Sequence, residues 1–196
     1  YSIRAHYDVD DPLFLRSMSG ILSADIRHGN HIQTLNNGEE IFPSMLAAIK
    51  QAKVSITMES FVCASGKVCQ QFSDALCERA RAGVNVHILL DWMGSNDLET
   101  RHFEEMKQAG IQILKYRKLH WYTLARINYR SHRKILVIDG KTGFTGGIGI
   151  ADEWLYEHNG KPAWRDIHYR IEGPVVANMQ AAFLENWLKS HRAVLE

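Results

Sequence analysis

The chain has 196 residues, 45% of them apolar and 23% charged, with a formal net charge of +1 at pH 7. That length supports one sizeable domain with a buried core, and the balance excludes a disordered chain. The near-neutral charge argues against a dedicated nucleic-acid binder, and no apolar run reaches the roughly 18 residues that a membrane-spanning helix needs.

The opening residues, YSIRAHYDVDDP, lack the basic start and apolar stretch of a signal peptide, and a first residue of Tyr rather than Met predicts a processed or excised piece. Residues 1–35 read as an N-terminal lead-in, and 36–196 as a single lobe without linker or internal repeat. Glu39 to Ala52 predicts a helix with Pro43 near its first turn, followed by a strand over Val54 to Phe61. Lys67 to Ala82 places Val68, Phe72, Ala75, Leu76 and Ala80 on one stripe and stops before Gly83, the pattern of an amphipathic helix. Val84 to Leu90 reads as a buried strand. A helix from about Asp97 to Ala109 follows, with Ser95 or Asn96 as cap, then a short strand over Ile111 to Leu114.

A hairpin at Asp139-Gly140, a strand over Ile167 to Ile171 and a helix from about Pro174 to Ser190 complete the series. In that helix Val176, Met179, Phe183 and Trp187 recur at core-packing spacing. Strands alternating with helices predict an α/β fold, a mixed central sheet flanked by helices.

Three cysteines are present, Cys63, Cys69 and Cys77. Cys69 and Cys77 share the predicted helix about 12 Å apart along its axis, beyond the roughly 7 Å reach of a disulfide. Buried reduced thiols, compatible with a cytosolic setting, are expected. His28 and His31 lack a convincing third metal ligand and read as surface histidines.

The segment from His132 to Gly149, HRKILVIDGKTGFTGGIG, carries the chemistry. It reads as strand, tight turn and strand, and side chains at i and i+2 on a strand share a face, so His132 and Lys134 stand together. An imidazole attacks phosphorus or shuttles a proton, and a neighbouring ammonium holds a phosphate oxygen. That pair suits phosphodiester chemistry without a metal, and no cofactor is expected. Asp139 lies seven residues beyond His132, an odd offset that turns it to the opposite face, and Asp-Gly is a hairpin signal. This spacing predicts that Asp139 buttresses the turn.

His132, Lys134 and Asp139 fit H-x-K-x4-D, followed by Gly146 and Gly147. This resembles the signature of the phospholipase D superfamily. The segments NGEEIFPSMLAAIKQAKVSITMESF, RARAGVNVHILLDWMGS and WRDIHYRIEGPVVANMQAAFLENWL extend the resemblance, which is to the amino-terminal lobe of bacterial-type cardiolipin synthases. The resemblance implies that His132 attacks the phosphorus of a phosphodiester to form a phosphohistidine, with Lys134 clamping phosphate and Asp139 counted in the catalytic motif. A second His from a second lobe would serve as acid and base. It implies that Asp166 orients His132, that the substrate is a phospholipid such as phosphatidylglycerol, and that the protein works as a phosphatidyltransferase. The expected place is peripheral to, or anchored at, the cytoplasmic membrane, with the membrane surface as a partner and no nucleic acid.

Gly149 stands where the family pattern has Asn, and Gly147 where Ser is common, so backbone amides of the Gly-rich turn are left to meet phosphate. Glu59 and Asp91 sit at predicted strand ends, where α/β folds bind ligands, and either also suits a cap or loop role. Asp166, His168 and Arg170 alternate onto one face of their strand, a polar row suited to a partner lobe or an internal network. Arg117 to Ser131 mixes basic residues with Trp121, Tyr122 and Tyr129, suited to a headgroup boundary or to a loop covering a sheet edge. The chain has one H-x-K, so completion of the site requires a second lobe or a homodimer partner. A single-motif phosphodiesterase or endonuclease acting as a homodimer, and a non-catalytic lipid-binding lobe, are the rival readings.

Overall fold

A computed structural model describes residues 8, 10–22, 24–95, 98–116, 131–157 and 160–191. The strands are β1 (His31–Asn36), β2 (Ser55–Ser60), β3 (Asn85–Asp91), β4 (Gln112–Tyr116), β5 (Ile135–Ile138), β6 (Thr142–Gly146) and β7 (Ile167–Glu172). The helices are α1 (Pro12–Leu22), α2 (Asn37–Gln51), α3 (Lys67–Arg81), α4 (Thr100–Gln108) and α5 (Val176–His191). The strands form one mixed sheet in the order β1-β7-β6-β5-β2-β3-β4. β2, β3 and β4 run parallel, and the other neighbours pair antiparallel. The C-terminal ends of β1, β2, β3, β4 and β6 therefore share one end of the sheet with the N-terminal ends of β5 and β7.

Helices cover both faces, which is why β2, β3 and β5 are buried almost continuously rather than at alternate positions; β3 and β5 are mostly apolar, whereas β2 alternates Ile56 and Met58 with buried polar residues. The larger core lies on the α2–α3–α4 face, where Ile56, Met58, Ile88, Leu136 and Phe144 meet Phe42, Met45 and Phe72. On the α5 face Val176, Phe183 and Trp187 are fully buried, as their spacing predicts. Two helices stop at left-handed glycines. The amide of Gly83 bonds to Ala80 and that of Val84 to Arg79, and Gly110 and Ile111 repeat the arrangement on Lys107 and Met106. All three cysteines are buried free thiols. His28 and His31 are exposed.

The structure differs from the sequence reading in several places. β1 crosses the predicted boundary at residue 35, with all but Asn36 in the lead-in, and pairs along its whole length with β7. Only Leu35 of this edge strand is buried, so its composition gives little strand signal. α2 begins two residues before Glu39, because the chain turns straight from β1 into the helix through Asn37 at φ 57°. Pro43 consequently falls inside the helix rather than in its first turn. α4 begins at Thr100 and Ser95 does not cap it. The Ser95 hydroxyl instead donates to the Asp91 carbonyl (2.6 Å). Of the polar row on β7, for which a partner-lobe surface and an internal network both stood open, His168 is buried and Asp166 and Arg170 are half-buried. α2 packs over His168, which is 2% exposed, whereas Ile167 and Tyr169 on the other face are 47% and 40% exposed.

Candidate active site

The end of the sheet where β5 and β7 begin gathers the residues singled out by their chemistry. Ser131 to Lys134 enter β5 as extended chain, so alternate side chains take opposite sides. His132 is exposed, and its ring stacks on Phe61, the residue after β2, at 4.1 Å between centroids and 26° between planes. Lys134 Nζ lies 5.7 Å from the centroid of the same Phe61 ring and donates to the His132 carbonyl (3.1 Å). The predicted pairing of imidazole and ammonium on one side is present, with an aromatic floor beneath both.

Asp166, just before β7, is tied to the start of α2. Its amide donates to Asn37 Oδ1 (3.2 Å), and the amide of Asn37 donates back to the Asp166 carbonyl (2.8 Å). One carboxylate oxygen accepts the amide of Ile167 (2.8 Å). The carboxylate makes no hydrogen bond to His132. Its field acts on Lys134 and His168: burial pulls the Lys134 ammonium below its usual value, and Asp166 pulls it back up. His168 is driven down to about 4, first by burial and further by Lys134, against Asp166, which raises it. The imidazole of His168 is therefore neutral near pH 7, with Nδ1 buried and unpartnered among the described residues.

Gly147 gives the site room rather than a donor. Its amide is already committed to the Ile167 carbonyl (3.3 Å), and a side chain there would run into the Asp166 carboxylate. At Gly149 a Cβ would come within 2.7 Å of the Val62 Cβ and 3.1 Å of the Trp154 ring, so packing explains the glycine where the family pattern has Asn.

Asp139 is at the other end of β5. Its carboxylate accepts the amides of Val54 (2.8 Å), Ser55 (2.9 Å) and Lys53 (2.9 Å). Asp139 and Gly140 both have positive φ, 52° and 63°, and the amide of Lys141 closes the turn on the Ile138 carbonyl, as in a type I′ hairpin. Partial burial works to raise the Asp139 pKa, but these three amides and Lys141 outweigh it and hold the carboxyl below its ordinary value. Asp139 braces the turn, as the odd offset predicts.

Glu59 is also turned away from the exposed His132 ring. It is 2% exposed, and Oε1 accepts the Ser131 hydroxyl and Asn186 Nδ2 of α5 (2.8 Å). Oε2 is buried without a partner among the described residues. Burial pushes this carboxyl up, against the downward pull of Ser131, Asn186 and Arg133. Asp91, likewise buried, accepts the amides of Met93 (3.0 Å) and Ser131 (3.3 Å). Sequence reasoning missed Phe61, Ser131 and Asn186. The strand alternation around His132 was the available signal for Ser131, whereas Asn186 is brought in only by the fold. Of the Arg117–Ser131 stretch, residues 117–130 lie outside the described residues, Trp121, Tyr122 and Tyr129 among them.

An exposed imidazole beside a half-buried ammonium, at the strand ends of a mixed sheet with helices on both faces, fits a phospholipase-D-like domain. The chain belongs to the family described as "Cardiolipin synthase, PLD-like domain", which it matches over residues 45–184. It is 42% identical over 155 residues to cardiolipin synthase 1 of Bacillus cereus, covering 79% of this chain and 30% of that protein. It is 32% identical over 179 residues to cardiolipin synthase A of Pseudomonas fluorescens, covering 91% of this chain and 37% of that protein. The chain thus spans about a third of the length of these curated relatives. The fold is shared with the phospholipase D family member Nuc of Salmonella typhimurium, at a TM-score of 0.66 and 17% identity over 83% of this chain and 97% of that one.

Proposed function

We propose that this domain is one lobe of a phosphatidyltransferase of cardiolipin synthase type. The observation that carries the reading is the exposed His132 ring resting on Phe61 with the Lys134 ammonium at its side. In this reading His132 attacks the phosphorus of phosphatidylglycerol. A phosphorus–nitrogen bond forms, the bond from phosphorus to the glycerol oxygen breaks, and the departing oxygen takes a proton from a second histidine. The hydroxyl of another phosphatidylglycerol then gives its proton to that histidine and attacks phosphorus, which frees His132 and completes the new phosphodiester.

Lys134 neutralises the non-bridging oxygens. Asp166, expected from the sequence to orient His132, makes no bond to that ring; it acts through its field on Lys134, raising the ammonium against burial, and Gly147 leaves the carboxylate its space. The domain over residues 36–196 contributes one H-x-K, so a second lobe of a longer protein, or a second copy of this chain, brings the other histidine. The work is done at a membrane surface. No helix among the described residues is long and apolar enough to cross a membrane.

The test separates monomer from dimer, incubates each with phosphatidylglycerol vesicles, and follows cardiolipin and glycerol, with His132→Ala as control. Product from the paired form and none from the monomer or the variant supports the reading. Full turnover by a proven monomer, or by His132→Ala, would overturn it. Salt-sensitive binding and cleavage of DNA in place of lipid transfer would favour a dimeric nuclease.

A further inference from the structure

The residues on either side of His132 are both fastened to α5, and His132 itself is not. Ser131 precedes it, and its hydroxyl donates to the buried Glu59 carboxylate, which Asn186 of α5 also contacts. Its amide donates to Asp91 Oδ2 (3.3 Å). Arg133 follows, and its guanidinium donates to the Ala182 carbonyl and to the Glu185 carboxylate, both at 2.8 Å. Lys189 and Arg133 hold that carboxyl down to about 2. Odd residues point to α5 and even residues, His132 and Lys134, to the open side.

Glu59, Ser131 and Asn186 are 2%, 8% and 5% exposed, and Glu59 Oε2 has no hydrogen-bond partner among the described residues. A carboxylate half-satisfied in a buried site is costly to keep for packing alone, because an apolar side chain of its size would avoid the desolvation. What the carboxylate supplies at that point is a fixed acceptor for the residue before the nucleophile.

We infer that Ser131, held by Glu59 and Asn186, is a positioning residue for His132: it sets the height and rotation of the backbone from which the imidazole reaches phosphorus. The inference rests on the reading of His132 as nucleophile. A reacting atom misplaced by about 1 Å loses on the order of a hundredfold in rate, and substrate binding through Lys134 is left largely alone.

Two variants isolate the hydroxyl. Ser131→Ala removes it at a nearly fully buried position with little change in volume, and Ser131→Thr restores it. Both are assayed in the assembly that supports lipid transfer, whether a longer protein or a dimer, beside His132→Ala. In parallel, NMR relaxation of the His132 ring is measured in this chain alone. The expected result is a kcat lower by about 10- to 100-fold in Ser131→Ala with KM within about twofold, recovery of most of the rate in Ser131→Thr, and a looser ring only in Ser131→Ala. An unchanged kcat and unchanged ring order in Ser131→Ala would overturn the inference, as would equal loss in both variants. Activity retained by His132→Ala would instead overturn the nucleophile reading. Ring loosening confined to Ser131→Ala would still support the tether.

Discussion

At its far end β5 runs into Asp139, whose carboxylate collects three backbone amides and closes a hairpin that local chemistry favours. At its near end it begins beside an exposed imidazole, an ammonium lowered by burial, a neutral buried histidine and a carboxyl raised by burial. One short strand thus separates groups whose hydrogen bonds are complete from groups left partly unsatisfied. The first arrangement holds a fold together. The second gathers titratable groups shifted by burial around the exposed His132, the pattern of a functional site.

The contrast is broken most sharply at His132. His132→Ala should lower phosphatidyl transfer at least about a thousandfold, read as cardiolipin formed per unit time. Its melting temperature should stay at the wild-type value, since the ring is exposed. Asp139→Ala should do the reverse. Loss of the carboxylate that accepts three backbone amides, with Ala placed at φ 52°, costs about 2–4 kcal/mol in denaturant unfolding. The folded fraction should keep its rate of transfer; a rate that fell in proportion to His132→Ala would place Asp139 in the chemistry after all.

His168 sharpens the comparison through pH. Its folded value of about 4 lies below the ordinary 6.5, so the unfolded chain binds the proton more readily between those values. The stability linked to this group is present above pH 6.5 and is lost as pH falls towards 4, by about 2 kcal/mol at pH 5. Unfolding curves at pH 7 and pH 5 should show that loss, and His168→Gln should flatten it. The smallest effect is expected at Gly149. Gly149→Asn restores the family residue but must push against Val62 and Trp154, at a cost of about 1–2 kcal/mol. A stabilised Gly149→Asn would show that packing does not explain the glycine.

The sequence made most of the near neighbourhood readable. The period of α5, the left-handed stops at Gly83 and Gly110, the turn at Asp139-Gly140 and the shared side of His132 and Lys134 all follow from residues close together in the chain. What it hid depends on distance along the chain. Glu59 meets Ser131 and Asn186 across 72 and 127 positions, and no local pattern announces those bonds. The direction of the polar row on β7 was also hidden, because alternation shows that two faces differ and leaves open which one α2 covers. β1 escaped notice for a related reason: an edge strand with one buried residue has almost no apolar period to read.

The central claim is a covalent one, and it is tested most directly by trapping. The protein in its paired form is mixed briefly with phosphatidylglycerol, quenched without acid, and digested for mass spectrometry. The account predicts an acid-labile phosphatidyl adduct on the peptide that contains His132, absent from His132→Ala. An adduct on another residue, or transfer that proceeds at full rate while no adduct on His132 is ever captured, would contradict it.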